Sequence, residues 1–535
     1  MKLTTPQGSL FWALVGLYLA IKVYGQEGLS IDIPVEIPLD ASDEVDPDFL
    51  GLAFEQTAWV RYATDDAEGL NVFSSNLINA IYSRTGGKPI IRLGGTSPDY
   101  AMYLPGQQEP ALPVSEQDNY QDIGGTTIGP SYWPIAKLFP DAKFMVQVPL
   151  ATTNISETVA WAQAAVEGIG IDQIHSIQVG NEPDLYRDDF TGEDGMFLGP
   201  PDFQGKLNNE TYIGNYTKYA TAIRDVIELP DHFFTTFDVA AHVDTPWVSQ
   251  WILDVETGFG LGIDADNIVK EVAHHYYQNH AGGAEDLESG LMTMSLTHTN
   301  LDYLKRHINW LKQHRPDVPF IINEIGNSLK VTNSYQYQAR LGSALWAVDF
   351  YLYSLSIGVS RFNYQQIMHS GFDLWLPHAS GGLPAQVFSN YYSQPFLADF
   401  VGSSGKTRVA KLDVVNGESV PNLAAYAAFE DGVAKRIAVA NLGYWNRTSS
   451  GFDRPVSSIR LNLALETDLL TVAHLSSPDG AGAGAETITY AGSQWTFESL
   501  GEEVKGIRND TEEVVVENGG AVVNVPASEA VIVYL

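Results

Sequence analysis

The sequence predicts an α/β protein, a (β/α)8 TIM barrel followed by a C-terminal antiparallel β-sandwich. Three observations carry that expectation. Between residues 46 and 403, eight short β-rich runs alternate with longer helical patterns. After about residue 405 the runs become short and alternating, with Gly, Pro, Asp and Ser between them. A chain of 535 residues also exceeds what one core organises, so a smaller domain is expected beside a large one.

The barrel runs are "FLGLAFE" (49–55), "PIIRLGG" (89–95), "KFMVQVPL" (143–150) and "IHSIQVG" (174–180), then "HFFTTFDVAAH" (232–242), "VKEVAHHYY" (269–277), "PFIINE" (319–324) and "VSRFNYQ" (359–365). Helical stretches such as 156–168 and 301–314 lie between them, and in the second Leu304, Ile308 and Leu311 form one apolar face. An open doubly wound sheet is the competing arrangement, but no Gly-rich phosphate loop follows the first run. Residues 404–535 carry the sandwich strands, and "SSPDGAGAGAET" (476–487) reads as a flexible loop within it.

The first 25 residues read as a secretory signal: Lys2, an apolar core at 10–20, and "VYG" before Gln26. That core is shorter than the ~20 residues a membrane span needs. Residues 26–45 hold "LSIDIPVEI" (29–37), a strand expected to pair into the sandwich. Sequons at Asn154, Asn209, Asn215, Asn446 and Asn509 fit a secreted, extracellular glycoprotein with no membrane association after signal cleavage. The chain has no cysteine, which excludes thiol catalysis and thiolate metal sites; its size lets it do without disulfides. Thirty basic against 65 acidic residues give a net charge of −35, a surface that repels nucleic acid.

The chemistry rests on two apolar runs that each end in Asn-Glu. Glu182 closes "IHSIQVGNE" and Glu324 closes "PFIINE", the fourth and seventh barrel strands. Residues at the C-terminal ends of barrel strands face the active site, and strands four and seven lie across the mouth from each other. Two carboxylates about 5 to 5.5 Å apart suit a retaining glycosidase, where one attacks the anomeric carbon and the other protonates the leaving oxygen. A third Asn-Glu, Asn209-Glu210, lies in a polar stretch with no apolar run before it and is read as surface.

"GNEPD" (180–184) and "INEIGNS" (322–328) resemble clan A glycoside hydrolases. With "RLGGTSPDY" (92–100) and "HHYY" (274–277), the chain resembles the heparanase-like β-glucuronidases of glycoside hydrolase family 79. The resemblance implies Glu182 as acid/base, Glu324 as nucleophile and Asn181 as the holder of the sugar 2-hydroxyl. It implies Tyr276 or Tyr277 as the hydrogen-bond donor to Glu324, and Glu55 as a sugar-hydroxyl ligand. Gly94, Gly95 and Thr96 would bring backbone close to the sugar. The substrate implied is a carbohydrate, glucuronic acid or its 4-O-methyl form on polysaccharide or arabinogalactan side chains, with no cofactor.

One segment departs from the family pattern. A Tyr followed by glycines grips the substrate carboxylate soon after the nucleophile; Leu329-Lys330-Val331-Thr332 stand there instead, and Phe372 stands where a second Tyr is expected. Lys330, His369 or Tyr364 are the candidates to supply that contact. The alternatives are a related glycosidase with another glycone, such as an arabinofuranosidase, or a catalytically silent carbohydrate-binding protein. A zinc site is not expected, because His274 and His275 are adjacent on a strand and face opposite ways. Asp99 and Asp184 read as loop caps.

Overall fold

Eight parallel strands close into a barrel in chain order, with helical segments packed around them. The computed structural model describes residues 28–65, 69–112, 126–186, 203–240, 254–279, 286–329, 334–368, 373–464 and 467–535. The expected signal segment 1–25 lies outside the described residues, as do Lys330, His369 and Phe372. Among the described residues no helix is long and apolar enough to cross a membrane.

The barrel strands are β1 (Leu50–Glu55), β2 (Ile90–Gly94), β3 (Lys143–Val148), β4 (Ile174–Val179), β5 (Phe234–Val239), β6 (Val269–Asn279), β7 (Phe320–Ser328) and β8 (Arg361–Gln366). Each expected run supplies one of them. The largest difference is in β7, which continues past Glu324 to Ser328. Its neighbour β6 extends as far at that end, so pairing carries on from His275↔Glu324 to Asn279↔Ser328.

Side chains fill the barrel in layers. At the N-terminal end Glu271 accepts from Arg361 Nη2 at 2.7 Å and Thr235 Oγ1 at 2.8 Å. Met145, Ala273 and Ile321 form a small apolar middle layer. Above them comes a polar layer that includes Arg92, Gln147, Gln178, Asp238 and Asn323. The outer faces of the strands pack on helices in one continuous core.

Two bulges shape the C-terminal end. In β5, Phe237 pairs with Ala273 and Val239 with His274, so Asp238 is an extra residue. In β7, Ile322 pairs with His274 and Glu324 with His275, so Asn323 is extra. A bulge breaks the in–out alternation and re-aims side chains.

The C-terminal domain is two facing sheets. Seven strands, among them Leu423–Glu430, Val433–Asn441 and Glu529–Tyr534, make one sheet. Leu29–Asp32, Val456–Asn462 and Gly520–Pro526 make the other. Ile31, Ile437, Val439, Ile459 and Val523 fill the space between them. The helix Leu341–Ile357 is buried along most of its length because it lies between barrel and sandwich. Across that junction Tyr426 donates to Asp349 at 2.6 Å.

The Gly/Ala stretch expected to be a flexible loop is packed instead. The carbonyls of Ala481 and Ala483 accept from Gly342 N and Leu341 N, both at 2.9 Å. They satisfy N–H groups that the first turn of the helix Leu341–Ile357 cannot satisfy itself.

Candidate active site

Glu182 follows β4 in the left-handed region at φ 45°, with its N–H bonded to Asp238 O at 2.9 Å. That conformation is uncommon for a residue with a side chain and requires support from its surroundings. Asp99 gives much of it. Its carboxylate accepts from Asn181 N at 2.8 Å, Leu150 N at 2.8 Å and Tyr186 Oη at 2.5 Å. Asp184 accepts from Ala240 N at 2.9 Å and ties the same turn to the end of β5.

From the other side, β7 delivers Glu324 into a fully desolvated setting. Arg92 Nη1 donates to its Oε2 at 2.6 Å, and Tyr277 Oη donates to its Oε1 at 2.5 Å. The same guanidinium donates to Asn181 Oδ1 at 2.6 Å and to Gln178 Oε1 at 2.8 Å. Arg92 therefore joins the two Asn-Glu motifs through one rigid fork.

His275 stands between the carboxylates. Its Nδ1 is 3.0 Å from Glu182 Oε1 and 3.9 Å from Glu324 Oε2, and its Nε2 is 3.5 Å from Asp238 Oδ1. Ligand atoms of Glu182, His275 and Glu324 all lie within 4.8 Å of one another. Burial alone would strip the imidazole of its proton. The charge of Glu324 and the contacts with Asp238 and Glu182 outweigh it and push the ring up to about 10. Glu324 moves the opposite way: burial would raise it, but His275 and Arg92, with the Tyr277 hydrogen bond, hold it below the ordinary carboxylate range. An ion could span three such groups by distance, but the Arg92 guanidinium already pairs with Glu324 there.

The expected sugar-binding residues divide in two. Asn181 and Tyr277 are at the centre of the site. Tyr276 is not: strand alternation turns it outward, where its hydroxyl donates to Gln278 at 2.5 Å and its ring packs on Phe350. Tyr364 is likewise in the outer core, one strand step from Phe362, which packs on Tyr351. It lies on the wrong face of β8 to reach a substrate carboxylate.

Glu55 is buried beneath the mouth rather than open to it. Ser97 N and Oγ donate to its Oε1, and Thr96 N and Gln365 Nε2 donate to its Oε2. All of its acceptor sites are taken within the protein, so it acts as a bracket for the 94–97 turn, not as a ligand for a sugar hydroxyl. Burial pushes its carboxyl up to about 7, against the pull of Ser97 and with the help of the Glu324 charge. Gly95, at φ 115°, lies against this carboxylate; a Cβ there would collide with it. Thr96 presents its backbone to Glu55.

Residues 425–532 match the family model described as the glycosyl hydrolase family 79 C-terminal beta domain. A β-glucuronidase of Neurospora crassa is 26% identical over 443 residues, covering 78% of this chain and 76% of that protein. Another from Aspergillus niger is 24% identical over 440 residues, covering 79% and 76%. This chain is a β-glucuronidase-like glycosidase whose C-terminal domain is similar to that of glycosyl hydrolase family 79. The crystal structure of a 4-O-α-L-rhamnosyl-β-D-glucuronidase from Fusarium oxysporum 12S shares its fold, with a TM-score of 0.76 at 18% identity. The two match over 95% of this chain and 100% of the other.

Arg92, His275 and Asp238 lie at the centre of the candidate site, and the sequence does not single them out for those places. Arg92 had a visible signal, a lone charge in the apolar run "PIIRLGG". His275 enters the sequence reading only within "HHYY" and in a zinc site that is not expected. Asp238 sits in "FFTTFDVAA", where regular alternation does not distinguish an inward from an outward residue.

Proposed function

We propose that this chain is a secreted retaining β-glucuronidase that releases glucuronic acid, plain or 4-O-methylated, from polysaccharide or arabinogalactan side chains. The observation that carries the reading is the facing pair Glu182 and Glu324, within 4.8 Å at their nearest ligand atoms. That closeness suits direct attack by one carboxylate while the other acts as proton donor. The β-glucuronidase relatives support the choice of glycone.

In the first step the ionised Glu324 attacks the anomeric carbon as the bond to the aglycone oxygen breaks, and Glu182 gives its proton to that oxygen. In the second, Glu182 takes a proton from water, the water oxygen attacks the same carbon, and the bond to Glu324 breaks. General acid–base help of this kind contributes about 10²- to 10⁴-fold. Arg92, His275 and Tyr277 keep Glu324 ionised and aimed before substrate arrives, so no reorganisation is needed during the reaction. Asn181, fixed by Arg92, offers its amide to the 2-hydroxyl, a contact that strengthens as the oxocarbenium ion develops.

The test is turnover of 4-nitrophenyl β-D-glucuronide, its 4-O-methyl form and a panel of neutral 4-nitrophenyl glycosides. Hydrolysis of a glucuronide in preference to the neutral sugars, lost in Glu324→Gln, is the expected result. Preference for a neutral glycoside would overturn the glycone, and undiminished turnover by Glu324→Gln would overturn the mechanism.

A further inference from the structure

The bulge in β5 places two adjacent non-glycine residues in the left-handed region, Phe237 at φ 77° and Asp238 at φ 45°. Such strain persists only where the surroundings impose it. What it achieves is visible in the side chains. Thr235 points into the barrel, where it donates to Glu271. Phe237 would point inward by alternation, but its ring lies outside against Gly258, and its N–H bonds the Tyr212 hydroxyl at 3.0 Å. The inward position passes to Asp238, which is 2% exposed.

Asp238 then meets three elements of the site at once. Its backbone carbonyl accepts from Glu182 N at 2.9 Å. Its Oδ1 accepts from Asn323 Nδ2 at 2.7 Å, the extra residue of the β7 bulge, and stands 3.5 Å from His275 Nε2. The two bulges are thus joined, side chain to side chain, directly behind the imidazole. We propose that Asp238 is a positioning residue for glycoside hydrolysis: its carboxylate seats the His275 ring between Glu182 and Glu324, and its backbone carbonyl fixes the turn that carries Glu182.

The charged groups facing His275 come from four other strands or their ends: Glu182 after β4, Asp238 on β5, Glu324 on β7 and Arg92 on β2, the last acting through Glu324. Glu324 and Asp238 supply the negative charge beside the ring while Glu182 carries the proton it donates, and Asp238 takes no part in bond making. Without its charge, the imidazole gives up its proton at lower pH, and Glu324 loses the cation beside it. The proposal rests on hydrolysis at Glu182 and Glu324 and is independent of which glycone is cleaved.

The experiment is Asp238→Asn, which keeps the side-chain shape and removes the charge, assayed on whichever 4-nitrophenyl glycoside the wild-type enzyme hydrolyses. With [15N]histidine labelling, the His275 signal among the 12 histidines is identified by its loss in His275→Gln. We expect the His275 transition to move down by about one pH unit or more, and kcat to fall about tenfold or more with KM within about twofold. In a His275→Gln background the same substitution adds little, because Asp238 acts through the ring. An unmoved His275 transition, or a loss that multiplies fully with that of His275→Gln, would overturn the proposal. If Asp238→Asn does not fold, Asn323→Ala tests the same link by releasing the Asp238 carboxylate. There too, a lowered His275 transition with a lowered kcat supports the proposal and unchanged values overturn it.

Discussion

Arg92 Nη1 lies 2.6 Å from Glu324 Oε2, with neither side chain more than 1% exposed. In this setting the ion pair fixes both the charge and the direction of the carboxylate. Arg92→Ala leaves Glu324 buried without its guanidinium, so its carboxyl rises from its depressed position and the acid limb of kcat/KM moves to higher pH. Loss of one partner of a buried pair also costs about 3–5 kcal/mol of stability. A pH–rate profile and a thermal melt of the same variant check both. Arg92→Lys keeps the charge but cannot bridge Glu324 and Asn181 together, so it shows a lowered kcat with a smaller shift of the acid limb.

The two tyrosines of "HHYY" make opposite predictions. Tyr277 donates to Glu324 at 2.5 Å, and hydrogen bonds to charged groups contribute about 1.5–3 kcal/mol. Tyr277→Phe should lower kcat/KM about 10- to 100-fold. Tyr276→Phe loses contacts to Gln278 and Asn300 in the outer core, and its kcat/KM should remain within about threefold of wild type. Steady-state kinetics on the pair distinguishes them.

Glu182 as proton donor predicts a dependence on the leaving group. Glu182→Ala should lose most activity on a glycoside of a poorly acidic alcohol, by about 10²- to 10⁴-fold. It should lose far less in the first step with a 2,4-dinitrophenyl leaving group, which departs without protonation. Pre-steady-state release of the two leaving groups measures that step; equal losses on good and poor leaving groups would remove Glu182 from the role.

At the other end of the barrel, Glu271 pairs with Arg361 at 2.7 Å and has His175 Nε2 at 3.3 Å. Burial would raise its carboxyl, but Arg361 and His175 outweigh that and hold it well below the ordinary range. Because the folded value is depressed, the pair contributes stability above the unfolded value of about 4.3 and loses it as pH falls towards the folded one. Glu271→Gln should therefore be destabilised by about 3–5 kcal/mol near neutral pH. The gap to wild type should narrow as the medium is acidified, with activity per folded molecule retained. Denaturant melts at a series of pH values read this directly.

Much of this architecture was legible in the chain because strand placement is written in apolar runs. Glu182 and Glu324 stood out because a charge after a buried run needs a reason. The orientation of side chains was harder to read. Alternation separates Tyr276 from Tyr277 only when one neighbour's facing is known, and Tyr364 looked polar enough for a site while packing beside Phe362. Bulges at Asp238 and Asn323 reset the alternation locally, and a backbone at positive φ leaves no mark in composition. Glu55 was placed at the right strand end, but its partners in the 94–97 turn are fixed by tertiary closure.

The most direct test of the central claim is the stereochemistry of the first product. Proton NMR during hydrolysis of 4-nitrophenyl β-D-glucuronide should show β-glucuronic acid appearing first, with the α-anomer growing in only by mutarotation. Initial appearance of the α-anomer would contradict a double displacement through Glu182 and Glu324.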